Sequence, residues 1–362
     1  GRAQFGTVVT DFTMIRSGAV QRANGGYLIL QAKDLFKDPF AWDALKRVLI
    51  NNESRVENIG EQYRTVPTVT LKPMPLPINV KVILIGTPYI YMILNAYDED
   101  FKKLFKIKVD FDTEMDKNPE NLMKFASFIS HICRDHNLIH FDPTGVAAMV
   151  DYSSRLAEDQ SKLSTLFNEI VELLYEASTW AAIEGSDLVT KEFVQKAIEE
   201  KVYRSNRVEE KLFSMIKRGE ILVDTQGSAV GQVNGLSVLD VGDYIFGQPS
   251  RITATTYVGD SGVVNIEREA KLSGQIHDKA VMILSGYMGE KYAKDMPLAI
   301  SASIAFEQNY GGIEGDSATC AELIALLSSI SGVPVRQDLA VTGSLNQHGQ
   351  VQPVGGTTYK VE

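Results

Sequence analysis

The spacing of hydrophobic positions changes twice along the chain. Between residues 24 and 113, continuous apolar runs at 27–30 and 80–85 alternate with helical stretches, a pattern typical of buried parallel strands in an α/β layer. From residue 121 to about 203, apolar residues recur with the spacing of helices that bury one face. After Gly219, alternating segments rich in Gly, Val, Ser and Thr follow. The pattern therefore predicts an α/β region, an all-helical region and a further domain that contains strands.

Length and composition narrow the class of protein. A chain of 362 residues exceeds one ordinary core, so at least two domains are expected. Its 44% hydrophobic and 23% charged residues are typical of a globular protein, and no apolar run approaches the ~20 residues of a membrane-spanning helix. No membrane is therefore expected as a partner. The net charge of −10 comes without the basic stripe that phosphates would require, so nucleic acid is not an expected main partner either.

The two cysteines, Cys133 and Cys320, are too few for a disulfide framework. A reducing, cytoplasmic compartment is therefore expected. The sequence begins with Gly1 and Arg2 rather than Met, and it has no signal-like apolar segment. We expect it to be a fragment of a longer protein, cut at both ends.

A glycine-rich turn before a helix is the clearest candidate site. Residues 311–320 read Gly-Gly-Ile-Glu-Gly-Asp-Ser-Ala-Thr-Cys and lead into an apolar helix predicted over 321–330. Ser317 would lie at the N-terminus of that helix, where free N–H groups and a partial positive charge can stabilise a developing oxyanion. Serine is also among the commonest N-caps, so a purely structural role is the alternative.

Several further segments, in the same order, resemble the Lon protease family between about residues 231 and 356. They are Val-Asn-Gly-Leu-Ser-Val at 233–238, Ile-His-Asp-Lys at 276–279, Gly-Asp-Ser-Ala at 315–318, Pro-Val-Arg-Gln-Asp-Leu-Ala-Val-Thr-Gly at 334–343 and Gly-Gln-Val-Gln-Pro-Val-Gly-Gly at 349–356. The resemblance implies a catalytic dyad with Ser317 as nucleophile and Lys360 as general base. It also implies that Thr342 orients the lysine amine, although a structural threonine at a strand end is an equal alternative.

A lysine can act as a base only if its ammonium loses a proton near neutral pH, which burial and a nearby helix N-terminus favour. Asp316, beside the nucleophile, could instead pair with Lys360, raise its pKa and keep a resting site inactive. The sequence departs from the family at residues 357–360, Thr-Thr-Tyr-Lys, where the neighbours of the lysine differ. It also stops two residues after Lys360, which puts the assembly of the dyad in this form in doubt.

Two other constellations are weaker. His277 and Asp278 suggest a Ser-His-Asp triad, but adjacent residues cannot easily bond each other's reactive ends. The second constellation is a possible zinc site formed by His131, Cys133, His136 and His140. Asn137 and Pro143 predict that the helix ends among these residues, so no metal is expected.

Residues 1–203 resemble the later part of the AAA+ module of Lon-like proteases. The segment 25–34 lies where a Walker B strand should end in acidic residues, but Gln31 and Ala32 occupy those places and cannot hold Mg²⁺. The sequence contains no Gly-x-x-x-x-Gly-Lys-Ser/Thr phosphate loop, and no arginine stands near residues 164–166, where a sensor would be expected. This degenerate Walker B region resembles the LonC branch, which has lost ATPase parts.

The resemblance thus implies a multidomain α/β and α+β fold. Its expected domains are a partial AAA+-like α/β subdomain (1–118), an all-helical lid (119–203) and a C-terminally truncated Lon-type α+β proteolytic domain (204–362). It implies a homo-oligomeric, hexameric ring that degrades unfolded polypeptides as a serine endopeptidase, without ATP hydrolysis or a cofactor. The alternatives are an ATP-dependent Lon-type protease whose phosphate loop lies outside this sequence, and a non-proteolytic ring scaffold or chaperone.

Overall fold

The computed structural model describes residues 2–4, 7–9, 12–14, 16–55, 68–69, 73–242, 244–294 and 299–362. The chain divides into two compact units, Gly1–Phe111 and Asp112–Glu362. Both combine helices with β-structure, as expected for the predicted multidomain α/β and α+β class. Within the described residues, none of the helices is both long and apolar enough to cross a bilayer.

The first unit is an α/β arrangement around a parallel strand pair. Its strands are β1 (Arg2–Gln4), β2 (Thr7–Val9), β3 (Tyr27–Gln31), β4 (Glu53–Ser54), β5 (Thr68–Val69), β6 (Leu76–Pro77) and β7 (Lys81–Ile85). Its helices are α1 (Ala19–Arg22), α2 (Ala32–Leu35), α3 (Ala41–Asn51), α4 (Pro88–Tyr97) and α5 (Phe101–Leu104), with a 3₁₀ turn at Phe12–Met14. β3 and β7 pair in parallel, with Leu28 opposite Val82, as the apolar runs predicted.

The core of the first unit lies on one side of the β3–β7 pair. Leu28 is buried there with Trp42 and Leu45 of α3. The other side is open, because Ile29 and Ile83 are 62% and 44% exposed. The apolar runs predicted buried strands, and the structure covers one face of the pair.

The second unit begins with a helical part. Its elements are β8 (Glu114–Asp116), α6 (Pro119–Asp135), α7 (Pro143–Leu156), β9 (Lys162–Ser164), α8 (Phe167–Ile183), α9 (Lys191–Ser205) and α10 (Arg207–Lys217). Helices α6 and α7 each begin with a side-chain N-cap, Asn118 or Asp142, followed directly by proline. That combination satisfies a free N–H and fixes a helical backbone angle at the first position. The apolar stripes of helices α6 to α9 meet in one core, which agrees with the predicted helical spacing.

The rest of the second unit is an α+β domain. Its strands are β10 (Ser228–Ala229), β11 (Gln232–Asp240), β12 (Ile245–Val258), β13 (Gly262–Asn265), β14 (Ile300–Phe306), β15 (Val335–Arg336), β16 (Ala340–Val341), β17 (Ser344–Leu345) and β18 (Val351–Gln352). Its helices are α11 (Ile266–Glu269), α12 (Gln275–Tyr292), α13 (Thr319–Ser331) and α14 (Thr357–Val361). A five-stranded sheet has the order β13-β14-β12-β11-β16. β12 is antiparallel to both neighbours, whereas the outer pairs β13–β14 and β11–β16 are parallel.

Helix α13 anchors the candidate site to this sheet. It packs against β11 and β12, and Ala321, Ala325 and Leu326 on its inner face are fully buried against Ile252 and Ile304 of the sheet. Full burial of each large apolar side chain contributes about 1.5–3 kcal/mol. The turn that precedes α13 is therefore carried by one of the most firmly packed elements of the domain.

Candidate active site

Ser317 lies in a tight turn directly before α13. The helix begins at Thr319 and not at residue 321 as predicted, because the carbonyl of Asp316 accepts hydrogen bonds from the N–H and the hydroxyl of Thr319 at 3.1 and 2.6 Å. The N-cap position belongs to Ala318. The hydroxyl of Ser317 makes no hydrogen bond to any residue that the structure describes. The interpretation of Ser317 as an N-cap is therefore wrong.

The turn is fixed to the segment that follows β16. The carbonyl of Ser317 accepts hydrogen bonds from the N–H of Gly343 at 2.7 Å and from the hydroxyl of Thr342 at 3.2 Å. The N–H of Cys320 donates in return to the carbonyl of Gly343 at 3.0 Å. Glycine at position 343 allows this close approach, because a Cβ there would lie 2.8 Å from the sulfur of Cys320 and would force that side chain to shift. The backbone of Ser317 is thus held on the side of Thr342.

Lys360 reaches the same place from α14, which packs on β11 and β12. The helix approaches closely because Gly247 of β12 has no side chain. A Cβ at that position would lie 2.0 Å from the carbonyl oxygen of Tyr359. Lys360 is only 9% exposed, and its Nζ donates to the hydroxyl oxygen of Thr342 at 3.0 Å. Among the described residues, no carboxylate forms an ion pair with it.

The surroundings of Lys360 favour its neutral form. Burial lowers the pKa of the amine, and the charge of Asp316 acts more weakly in the opposite direction. The carboxylate of Asp316 does not pair with Lys360. It accepts a hydrogen bond from the hydroxyl of Ser344 at 2.7 Å. Thr342 accepts from the amine without contributing a negative charge.

The structure thus links three of the predicted residues in one chain of contacts, from Lys360 through Thr342 to the backbone of Ser317. Asp316 lies near enough for its charge to act on Lys360. The contact made by Thr342 is the one that the family resemblance implied. A direct hydrogen bond between the Ser317 hydroxyl and Lys360 is not among the contacts of the described residues.

The residues of the alternative triad are arranged differently. His277 is fully buried, and its Nε2 lies 3.4 Å from the side-chain nitrogen of Asn265. The carboxylate of Asp278 accepts a hydrogen bond from Ser273 and not from an imidazole. His277, Asp278 and Ser317 therefore do not form a relay, and the Ser-His-Asp hypothesis is wrong.

The histidines of the helical part also have separate contacts. His131 pairs with Asp135 at 3.0 Å, while the ring of His136 meets the ring of Tyr175 edge-on. Cys133 is buried in the helical core. In the part of the chain that the structure describes, no three His, Cys, Asp or Glu side chains are placed to hold a metal ion.

The end of β3 in the first unit is the place where the sequence predicted a degenerate Walker B region. Gln31 is the last residue of the strand and is exposed, while Ala32 is fully buried at the start of α2. The nearby acid, Asp34, forms an ion pair with Lys37 at 2.7 Å. Gln31 and Ala32 supply no carboxylate there, and Asp34 is already paired with a cation.

Sequence reasoning missed two features of the α+β domain. The first is Ser344, the hydrogen-bond partner of Asp316. The second is a set of buried polar side chains near the turn of Ser317, formed by Asn265, Glu267, His277 and Glu322. One signal was available for the second, because Glu322 is an acidic residue four positions before Leu326 on the apolar face of α13.

Comparison with known families identifies the parts of the chain. Residues 1–112 match the model of the LonB-like AAA domain. Residues 140–204 match the archaeal LonB AAA+ ATPase lid domain, and residues 189–361 match the Lon protease C-terminal proteolytic domain. These matches define an AAA+ module with a lid joined to a proteolytic domain. The chain belongs to the Lon-type protease family, which confirms the predicted resemblance and architecture.

Individual relatives agree with this assignment. The chain is 31% identical over 355 residues to a "Putative Lon protease homolog" of Escherichia coli (strain K12), covering 97% of this chain and 59% of the relative. It is 30% identical to the Haemophilus influenzae protein of the same name, covering 95% and 56%. It is 25% identical to the "Archaeal Lon protease" of Archaeoglobus fulgidus, covering 96% and 55%. The chain spans a little more than half the length of these relatives.

Proposed function

We propose that this protein is a serine endopeptidase that cleaves unfolded polypeptides through a dyad of Ser317 and Lys360. The observation that carries the proposal is the environment of Lys360. It is a buried lysine whose pKa is lowered, it has no carboxylate partner among the described residues, and Thr342 connects it to the turn of Ser317. Ordinary structural lysines are stabilised in the charged form, whereas a general base must be neutral before it can accept a proton.

The proposed reaction begins with proton transfer from the Ser317 hydroxyl to the neutral Nζ of Lys360, while the serine oxygen attacks the peptide carbonyl carbon. The carbonyl π bond becomes an oxyanion. The N–H groups of Ser317 and Ala318 make no hydrogen bond with described residues and are candidates to stabilise it. The ammonium of Lys360 then protonates the departing amine. Water, deprotonated by the same lysine, hydrolyses the acyl-enzyme and restores Ser317.

Hydrogen bonds around the proposed dyad orient its groups for these steps. Thr342 accepts from the amine of Lys360 and donates to the carbonyl of Ser317, so one side chain orients the base relative to the nucleophile. Because the acceptor is a neutral hydroxyl, it fixes the amine without the full increase in pKa that a carboxylate would cause. Thr342 is therefore assigned a positioning role.

We further propose that proteolysis needs no ATP hydrolysis and no cofactor. Gln31 and Ala32 at the end of β3 support this, because neither side chain can bind a metal–nucleotide complex. Without nucleotide-driven unfolding, the substrates would be polypeptides that are already unfolded. The proposed assembly is a cytoplasmic, hexameric ring of identical subunits that encloses the sites.

The test is degradation of an unstructured protein such as casein, without nucleotide, by the full-length protein and two serine variants. Ser317→Ala should reduce cleavage by about 10³-fold or more, because it removes the nucleophile. Ser331→Ala is the matched control, since Ser331 is exposed at the other end of the same helix. It should cleave like the parent protein.

The other outcomes assign the alternatives. Cleavage that appears only when ATP is added would favour an ATP-dependent Lon-type protease. Absence of cleavage by the parent protein, with or without ATP, would favour a ring scaffold or chaperone. Equal cleavage by the parent and Ser317→Ala would exclude Ser317 as the nucleophile.

A further inference from the structure

The short helix that carries Lys360 contacts the helical part of the same unit. At the start of α14, the N–H of Gly356 donates to the carboxylate of Glu158 at 3.3 Å. At the other end of α14, Arg155 of α7 forms an ion pair with Glu362. This ion pair contributes little to stability, because both of its side chains are about half exposed. The contact that acts on the backbone of α14 is that of Glu158, which follows the C-cap of α7.

The contact with Glu158 supplies a hydrogen bond that α14 cannot make for itself. The helix has five residues, Thr357–Val361, and a helix of this length is not stable alone. Its N-cap is Gly356, which has no side chain for capping, and a Cβ there would lie 2.7 Å from Val238 of β11. In a capping box, a glutamate of the helix itself accepts the N–H of the N-cap residue. Here a glutamate of the helical part accepts it.

The backbone of Glu158 is unusual for this residue type. Its φ is +52°, in the left-handed region that glycine and asparagine adopt more readily than glutamate. Asn137, after α6 of the same helical part, has a φ of +54° and is a residue type suited to it. Glu158 is also exposed, so core packing does not require its side chain. The contact with Gly356 thus gives the glutamate a role at a position where it is conformationally unfavourable.

Gly356 connects Glu158 to the proposed base. The N–H of Lys360 donates to the carbonyl of Gly356 at 3.1 Å, and its Nζ donates to the hydroxyl of Thr342 at 3.0 Å. Hydrogen bonds therefore run without a gap from Glu158 through α14 to the side chain that contacts the backbone of Ser317.

A second contact fixes the helical part beside the strand on which α14 packs. Glu209 of α10 accepts a hydrogen bond from the hydroxyl of Tyr244 at 2.7 Å. The ring of Tyr244 stacks on that of Phe246, with 5.8 Å between the ring centroids. Phe246 is buried and directly precedes Gly247, where α14 approaches the strand. The position of Glu158 relative to α14 is therefore supported by more than one contact.

We propose that Glu158 is a positioning residue for the peptide hydrolysis proposed above: its carboxylate holds the N-terminal end of α14, so that Lys360 reaches Thr342. The proposal rests on the proposed function. A displacement of about 1 Å in a reacting group can reduce the rate about 100-fold. Loss of Glu158 has a smaller effect, because the close packing of α14 at Gly247 remains.

The first experiment measures kcat and KM for cleavage of a labelled unfolded protein, and the thermal midpoint, for the full-length parent and three variants. Glu158→Gly removes the carboxylate, so kcat should fall about three- to tenfold. KM should change little, because no group that contacts substrate is altered. The midpoint should also change little, since relief of the left-handed backbone offsets the greater freedom of glycine in the unfolded chain.

Two further variants are the controls. Glu158→Gln keeps an oxygen that can accept from Gly356 and should retain most of the activity. Asn137→Gly makes the matching change of backbone at the end of α6 and should cleave like the parent. Equal losses of kcat in Glu158→Gly and Glu158→Gln would overturn the positioning role. A loss in Glu158→Gly that comes with a clearly lower midpoint would also overturn it, because that result identifies a role in stability alone.

The second experiment follows amide hydrogen exchange of residues 356–361 by mass spectrometry, which does not depend on proteolysis. Exchange there should be about three- to tenfold faster in Glu158→Gly than in the parent, and unchanged in Asn137→Gly. Equal exchange in Glu158→Gly and the parent, or full kcat in that variant, would overturn the positioning role alone. The expected difference in exchange without Ser317-dependent cleavage by the parent would instead overturn the proposed function, and with it the role of Glu158 in the reaction.

Discussion

The end of β3 in the first unit and the turn before α13 in the second differ in one respect: only the second buries an ionisable side chain that has no charged partner among the described residues. At the first, Ala32 buries a methyl group, Gln31 points an uncharged amide to solvent, and Asp34 is paired with Lys37. At the second, Lys360 is buried without a charged partner among the described residues. Burial of an unpaired polar or ionisable group costs several kcal/mol. Of these two places, only the second, the candidate active site, includes such a buried group.

The same contrast holds among the lysines. Lys46 and Lys201 are partly buried beside Asp98 and Glu169, and hydrogen bonds to these carboxylates raise the pKa of both amines although burial opposes the effect. Lys360 has only Thr342 as a hydrogen-bond partner among the described residues, and burial lowers its pKa. The absence of a neutralising carboxylate, more than burial itself, thus distinguishes a potential base from a structural cation.

The largest effect is expected when Lys360 is replaced. Lys360→Met should reduce peptide cleavage by about 10³-fold or more, because no base remains for Ser317. Lys360→Arg should be equally inactive, since a guanidinium does not deprotonate in proteins. The measurement is the rate of casein cleavage without nucleotide. Lys201→Met is the matched control and should remain active, and an active Lys360→Arg variant would contradict the role of Lys360 as base.

A smaller but still large effect is expected when a carboxylate is introduced at the apolar strand end. Ala32→Asp should lower the free energy of unfolding of the first unit by about 3 kcal/mol, because the site is fully buried. Gln31→Glu, at an exposed position, should change it by less than about 0.5 kcal/mol. Denaturant unfolding followed by the fluorescence of Trp42, with Trp180 replaced by Phe, would measure both. Equal midpoints for the two variants would show that the burial of Ala32 does not oppose a carboxylate at this strand end.

The buried acid Glu322 allows a test through the pH dependence of stability. Its pKa in the folded protein is raised from 4.5 to about 8, so its contribution to stability is complete below about pH 4.5 and is lost as the pH rises through about 8. In this range the free energy of unfolding should fall by up to ~1.4 kcal/mol per pH unit from this group. Glu322→Gln should flatten that dependence in denaturant titrations at several pH values. An unchanged slope would mean that Glu322 is ionised throughout.

These regions were not equally accessible from the sequence. The apolar runs at 27–30 and 80–85 predicted β3 and β7 as strands of a parallel layer, because a continuous apolar run is a local pattern, and the structure pairs the two in parallel. The motif order indicated Ser317, Thr342 and Lys360, and the Lys360–Thr342 contact agrees with the implied arrangement. The open face of β3 and β7 could not be predicted, because exposure depends on what packs against a strand.

The cluster of buried polar side chains could not be predicted from the sequence for a related reason. Asn265 and Glu322 are 57 positions apart in the chain and meet only through the packing of α13 on the sheet. His277 was considered only as a member of a triad, since its sequence neighbour Asp278 drew attention to that chemistry. Its burial and its contact with Asn265 are tertiary facts that no local spacing reports.

A moderate effect is expected for Thr342, which joins the two sides of the proposed dyad. Thr342→Val keeps the shape but removes one hydrogen bond to Lys360 and one to the carbonyl of Ser317. Loss of a hydrogen bond of about 1–1.5 kcal/mol corresponds to a rate reduction of about tenfold. Casein cleavage would measure it, with Thr255→Val at an exposed position of β12 as control. Full activity in Thr342→Val would leave Thr342 with only a structural role.

The smallest effect is expected for Asp316, whose charge acts on Lys360 from a distance. Asp316→Asn removes the one influence that raises the pKa of Lys360 while leaving an oxygen to accept from Ser344. Since the base must be deprotonated, a lower pKa moves the acidic limb of the pH–rate profile to lower pH, by less than about one unit. Asp338→Asn, which removes an exposed partner of Arg336, is the matched control. An unchanged profile in Asp316→Asn would show that the charge of Asp316 does not affect the amine of Lys360.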